Sequence, residues 1–221
     1  GLNGLSKGYI GIGLDEFGNF SQAAQGRVGG PGQRPSSVAI RGDGDGSAST
    51  QPGQPIGFEV ANSNYEYLIG VQTTDQTSMN NVPNGAAGVV FPIAGGQDGR
   101  TAPGGSLEEN ESGYRKARIV LTPNGSNTGF IVNVYITANV AGTVSTRRVI
   151  NNYNYVSTLA PPSAFKFGFG SSTGGSNNFH EIRAINVVAA IPKAPNTGLA
   201  FSKSGLEDTN ITFAQSDFYN S

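Results

Sequence analysis

Three oxygen-bearing groups fall within five residues of one another early in this chain: Asp15, Phe17 and Asn19, in the run GYIGIGLDEFGNF. A hard cation such as calcium takes roughly six to eight oxygens at about 2.3–2.6 Å, from carboxylates, amides and main-chain carbonyls. The side chains of Asp15 and Asn19, with the Phe17 carbonyl between them, can supply three where a strand gives way to a turn. The same residues also suit an ordinary polar turn, because Asp, Asn and Gly tolerate left-handed backbone. Spacing alone leaves both readings open.

Other chemistry-bearing residues are less suggestive. Asp43 and Asp45, in RGDGDG, are spaced like the start of a calcium loop, but Pro52 stands where an EF-hand needs Glu, so a solvated turn is expected. The Arg41-Gly42-Asp43 tripeptide is read as chance. His180, the only histidine, sits beside a Phe in a strand-like run and is expected to be a structural hydrogen-bonder. Glu181 and Arg183 share a strand face and suit a surface ion pair of little weight. Retaining glycoside hydrolysis needs two carboxyl groups about 5–5.5 Å apart. Asp15 and Glu16 are adjacent and would point to opposite faces of a strand. With no Ser/His/Asp arrangement either, an enzyme is not expected.

The elements that must position these residues read as strands. Tyr9 to Leu14 is apolar with interleaved glycine, as in a strand packed closely on a neighbour. Short strands follow at Ser37–Ile40 and Ile56–Val60. Tyr65, Tyr67, Ile69 and Val71 alternate with Asn64, Glu66, Leu68 and Gly70, which predicts one half-buried strand. Arg115–Leu121 and Phe130–Thr137 bracket PNGSNTG as a hairpin, with Phe130, Val132, Val134 and Ile136 on the core face. Val140–Tyr155 is read as a further strand pair with Arg147 and Arg148 outward. Phe165, Phe167 and Phe169 form an aromatic ladder on one face of a late strand. Residues 73–111 are mostly polar, with one apolar run at 86–94, and suit either a functional loop or a disordered crossover.

Composition agrees with a loop-rich all-β protein: 33 Gly and 12 Pro in 221 residues, 13% charged, with few helix signals. Cysteine is absent, which excludes disulfides and thiol chemistry. The net charge of −1 comes without any Lys/Arg run, so nucleic acid is not an expected partner. No apolar run reaches the roughly 18 residues of a membrane span. Gly1 is not a natural start, so the chain is expected to be a processed or excised piece.

Two segments carry a resemblance. GIGLDEFGNF and FGFGSSTGGSNNFHEIR are similar to the metal-loop strand and the late sugar-site strand of the L-type lectin family, which includes legume lectins and bacterial surface lectin domains. The order matches, and RPSSVAIRG, YRKARIVLTP and FIVNVYI lie similarly between them. The resemblance covers about residues 5–188 in patches. It implies a concanavalin A-like antiparallel β-sandwich, or jelly roll, over 1–188, and a non-catalytic, calcium-assisted carbohydrate-binding function. It places metal ligation at Asp15, Phe17 and Asn19, and sugar contact at Asn19, Gly174, Gly175, Ser176 and Asn177. Exposed backbone N–H groups at the two glycines and short polar side chains beside them suit a sugar's hydroxyls.

The departures are informative. Gly13 and Ala24 stand where the legume pattern has acidic metal ligands, and Ser37 stands near the position of its ligating His. No transition metal is therefore expected, and a calcium site is short of carboxylates unless Glu16, Asp43 or Asp45 contributes. Only Gly1–Lys7 precede the metal strand, so an incomplete or altered sandwich is expected unless another chain supplies the missing N-terminal strands. The alternatives are a structural or protein-binding domain that kept the fold, and more remotely a glycoside hydrolase relative.

Residues 189–221 open with a Pro-rich linker, IPKAPNTG. GLEDTNITFAQSDFYNS beyond it resembles the first strand of the cadherin-like repeats of large bacterial adhesins. That implies an extracellular or cell-surface location, neighbouring domains in a long chain, and cell-surface or matrix glycans as partners. Glu207, Asp208 and Asp217 would be calcium candidates at an inter-repeat joint, with a solvated turn as the plainer reading.

Overall fold

The Ser37–Arg41 segment, SVAIR, is buried at every position, as befits a central strand covered on both faces. In the computed structural model, which describes residues 8–23, 27–44, 49–50, 59–60, 65–80, 90–93, 113–157, 159, 161, 165–171, 182, 185–189, 201–203 and 212–213, this strand is β2. It lies between β1 (Gly11–Asp15) and β5 (Tyr67–Gln72), antiparallel to both. The short strands β3 (Ser49–Thr50) and β4 (Glu59–Val60) pair with each other. A five-residue helix, α1 (Gln76–Asn80), follows β5.

The second sheet is a meander of β6 (Arg115–Pro123), β7 (Gly129–Val140) and β8 (Thr143–Val156), again antiparallel. Its first hairpin closes around Asn124, whose Oδ1 accepts the Thr128 N–H at 3.0 Å. Its second closes in two residues, Ala141 and Gly142, both at positive φ (51° and 84°). That is the backbone of a type I′ turn, whose twist matches that of the strands it joins. Val140–Tyr155 is therefore not a strand pair. After this turn comes one 14-residue strand, the turn having no Asn-Gly signature to reveal it.

Phe130, Val132, Val134 and Ile136 are all under 10% exposed, as the period-two pattern requires. With Val38, Ile40, Val71, Val149 and Ile150 they form the core of this unit. The sheets meet at Tyr9, whose ring stands edge-on to Phe130 and Tyr155, with centroids 5.9 and 5.4 Å away. The buried Tyr155 hydroxyl donates to the Tyr9 carbonyl at 2.7 Å and lies 2.9 Å from Asp43 Oδ1, which also accepts from Ser157. Asp43 is thus a structural anchor between sheets rather than a residue of a solvated turn.

Two expectations about strand faces are corrected. A bulge in β5 lets Arg41 face Tyr67 while Ile40 faces Ile69, so Tyr67 changes face and leaves the side occupied by Ile69 and Val71. In β8, Arg148 lies opposite Tyr135 but Arg147 lies opposite core-facing Ile136. Neighbours on a strand alternate, so only Arg148 is on the outer face.

The chain divides into two compact units, Gly1–Pro161 and Pro162–Ser221. In the second, β9 (Phe165–Lys166) pairs with β12 (Thr212–Phe213), and β10 (Val187–Ala189) pairs with β11 (Phe201–Lys203). The described residues are all-β with almost no helix, and among them no helix is long and apolar enough to cross a membrane.

Candidate functional site

The turn after β1 is held together by Asp15. Its Oδ1 accepts the Gly18 N–H at 2.8 Å and its Oδ2 the Phe20 N–H at 2.5 Å. Both oxygens thereby satisfy main-chain donors around the single 3₁₀ turn Asn19–Ser21, as an Asp does when it caps a helix start. Gly18 is left-handed (φ 98°) and packs against the Arg34 main chain with no room for a Cβ, so glycine is required there. The turn is stitched to the approach to β2 by Ser36 N–H to the Glu16 carbonyl (2.9 Å) and Arg34 N–H to the Gly18 carbonyl (3.2 Å).

The other two candidate ligands also have protein partners. The Phe17 carbonyl accepts from Gln33 Nε2 at 3.0 Å, and Asn19 Oδ1 from Gln22 Nε2 at 2.7 Å. Asp15, Phe17 and Asn19 together offer four oxygens, each with lone-pair capacity left, fewer than calcium's usual shell. Among the described residues no group of three or more His, Asp or Glu side chains is placed to hold a metal ion. Hydrogen bonds to its own main chain and to the approach to β2 connect the turn on every side. Asp45, Gly174, Gly175, Ser176, Asn177 and His180 lie outside the described residues.

Arg41 organises everything above the first sheet. It is 1% exposed, and its guanidinium donates to five main-chain carbonyls: Phe20 (2.7 Å), Val28 (2.8 Å), Tyr65 (2.7 Å), Gln22 (3.0 Å) and Gly29 (3.3 Å). The planar fork suits this task because it presents several donors in fixed directions. The rings of Phe20 and Tyr67 lie 5.6 and 5.7 Å from its central carbon. Burial, and then the nearby Arg27 cation, push Arg41 down to about 10, still well above neutral pH, so the group is a cation. A row of small residues, Gly13, Ala39 and Gly70, crosses the three strands on the same face. A Cβ on Gly13 would collide with the Phe20 ring, so that glycine exists to seat the loop Arg41 holds.

Beside this assembly is a cleft of about 340 Å³, lined by Ser21, Pro31, Arg34, Ser37, Tyr67, Gly70, Val71, Gln72, Asp75, Thr77 and Ser78. Ser21, from the Asp15 turn, forms part of its wall, and its hydroxyl lies 3.3 Å from that of Ser37. Asp75 Oδ1 accepts the Thr77 N–H at 2.9 Å, and Ser78 Oγ accepts the Gln72 N–H at 3.0 Å. Burial raises the Tyr67 hydroxyl above its ordinary range, with the Arg41 and Arg34 cations pulling the other way; Tyr67 is therefore a neutral donor at physiological pH. The cleft combines hydroxyls, an amide, one carboxylate, one guanidinium and an aromatic ring. Its volume falls within the roughly 300–1,000 Å³ range of small-ligand sites.

None of Ser21, Arg34, Tyr67 or Asp75 stands out in the sequence as a site residue. Only the bulge beside Tyr67 and the loop closure on Arg41 bring them together, and neither has a local signature. No protein-family model, curated protein or solved structure matches the chain.

Proposed function

We propose that this chain is a non-catalytic carbohydrate-binding module of L-type lectin kind, built on a concanavalin A-like sandwich and carried by an extracellular or cell-surface adhesin. The carrying observation is the polar cleft against the Asp15 turn, in which Arg34, Asp75 and Tyr67 line one space with several hydroxyls. A saccharide presents alternating hydroxyl donors and acceptors around an apolar ring face. Those are matched by short Ser and Thr hydroxyls, the Gln72 amide, the Asp75 carboxylate and the Tyr67 ring. Asp75 is the single carboxylate among the residues lining the cleft, whereas glycoside hydrolysis ordinarily uses two; this supports binding over turnover. A calcium ion at Asp15, Phe17 and Asn19 is an addition to the proposal, and sugar binding in the cleft does not depend on it. Asn19 is proposed as a further contact to that sugar, and Gly174, Gly175, Ser176 and Asn177 remain proposed as sugar-contacting residues in their own right.

A glycan array on the purified chain, with and without EDTA, tests the reading. Binding of a defined saccharide is expected, weakened roughly tenfold or more by Asp75→Asn, since a hydrogen bond to a charged group contributes about 1.5–3 kcal/mol. Silence across the array would leave a structural or protein-binding domain. Glycan turnover would reinstate a hydrolase, and loss of binding in EDTA would assign the ion a role.

A further inference from the structure

We propose that the outer face of the second sheet is a separate binding surface for an anionic polysaccharide, one bearing carboxylates or sulfates. Residues 113–157 hold five of the chain's fourteen Lys and Arg and none of its fifteen Asp and Glu. The acidic net charge of the whole chain conceals this segregation. Strand register then sorts the cations. Lys116 and Arg118 lie opposite Thr137 and Tyr135 on β7, and Thr137 and Tyr135 lie opposite Thr146 and Arg148 on β8. Directly paired residues share a face, so Lys116, Arg118 and Arg148 stand together on the side away from the core. Lys116 and Arg118 are exposed.

The arrangement is a row rather than a scatter. The Arg118 and Arg148 guanidiniums lie 4.1 and 5.1 Å from the Tyr135 ring centroid, a cation–π stack that holds two forks at fixed positions. Arg148 is further fixed by donating to Asn151 Oδ1 at 2.6 Å. Around them are neutral hydrogen-bonding groups: the Thr137 and Thr146 hydroxyls, 2.7 Å apart, and the exposed Asn152, which is held by the buried Asn133. Guanidinium forks recognise carboxylate and sulfate oxygens in bidentate fashion, while the amides and hydroxyls suit the sugar hydroxyls between the charges. A nucleic acid fits less well. Single-stranded recognition stacks bases on free aromatic faces, and the Tyr135 ring is already stacked by two guanidiniums.

This surface is distinct from the cleft and does not rest on the sugar reading of it. The test measures binding of the intact chain to immobilised polygalacturonate (carboxylate) and heparin (sulfate), with dextran as the neutral control and single-stranded DNA as the competing polyanion. The expected result is binding to at least one acidic polysaccharide, none to dextran, and loss at high salt. Which polymer binds identifies the anion. The double variant Lys116→Gln/Arg118→Gln should weaken binding roughly tenfold or more with unchanged thermal unfolding, and Asp75→Asn should leave it intact. No binding by the unaltered chain, binding indifferent to the double variant, or DNA bound as tightly as the polysaccharide would each overturn the proposal.

Discussion

The two sheets of the first unit reach similar burial by opposite means. The second sheet is three long strands joined by tight turns, and its core face is a plain apolar repeat: Phe130, Val132, Val134, Ile136. The first sheet has short strands and keeps one face nearly bare of side chains at Gly13, Ala39 and Gly70. That face is covered instead by the loop closed over it, which a single buried cation fastens through five carbonyls. One sheet is stabilised by many interchangeable contacts, the other by one residue without a substitute. The candidate sugar cleft belongs to the second kind, where loop backbone and short polar side chains leave space that a packed apolar face would fill.

The largest expected effect breaks this contrast at its centre. Arg41→Met keeps bulk but removes the guanidinium's bonds to five carbonyls, of which Val28 still accepts from the Tyr67 N–H and Gln22 from Arg27 Nε. Each buried polar group left unsatisfied costs about 1–3 kcal/mol, so a loss of about 4 kcal/mol or more is expected even after the loop opens to water. Urea denaturation measures it, and hydrogen exchange should show the Tyr67 amide, which donates to the Val28 carbonyl, losing protection before those of β7. Ile150→Ala is the matching cut in the second sheet. Ile150 is 1% exposed, and its truncation should cost about 3 kcal/mol without selective opening of the 20–35 loop. Equal loss of protection in both sheets for both variants would erase the contrast between the sheets.

Tyr155 joins the two sheets, so its removal tests whether they unfold as one. Tyr155→Phe deletes the hydroxyl that reaches the Tyr9 carbonyl and Asp43, for an expected cost of about 1–3 kcal/mol. Desolvation by burial raises Tyr155 far above its ordinary value of 10.0, and raises Tyr9, Tyr67 and Tyr153 in the same direction. Above pH 10 the unfolded chain therefore releases tyrosine protons that the folded chain retains. The tyrosines' contribution to stability should hold below about pH 10 and be lost as pH rises beyond it. The variant, lacking the most strongly shifted of these groups, should show a shallower alkaline decline in urea midpoints.

What the sequence disclosed follows from the same contrast. The second sheet's first hairpin and its core face are legible because period-two alternation and a Gly/Asn turn are local signals. The Ala141-Gly142 turn is not legible because Ala carries no turn preference; its positive φ is imposed by the strands on either side. The first sheet's strands were legible, but its phase was not: one bulged residue at Leu68 moved Tyr67 onto the face of Arg41. Arg41 itself read as the edge of a solvated turn, since Arg-Gly-Asp-Gly gives no hint that five distant carbonyls converge on its first residue. The cationic outer face was equally hidden. Lys116, Arg118 and Arg148 are dispersed along the sequence, and only register aligns them. The Asp15 turn is legible from its Asp, Gly and Asn, while its two readings, ion site and plain turn, differ in lone pairs that no residue spacing specifies.

The smallest expected effect decides between those two readings. Asp15→Asn keeps one oxygen as an acceptor and replaces the other with an amide that cannot accept from Gly18 or Phe20. Loss of a cap-like bond of this sort costs about 1 kcal/mol, less than either change to the buried network above. If the carboxylate serves the main chain alone, the cost is the same in EDTA and in excess calcium, because nothing but two N–H groups notices the change. If an ion also sits on Asp15, Phe17 and Asn19, calcium adds stability to the parent chain by mass action, and the variant loses that increment on top of the hydrogen bond. Thermal unfolding of both proteins in the two buffers therefore measures the ion's contribution as the difference of differences. A zero difference assigns Asp15 to the turn alone, and the first sheet then remains a structure fastened by protein donors rather than by metal.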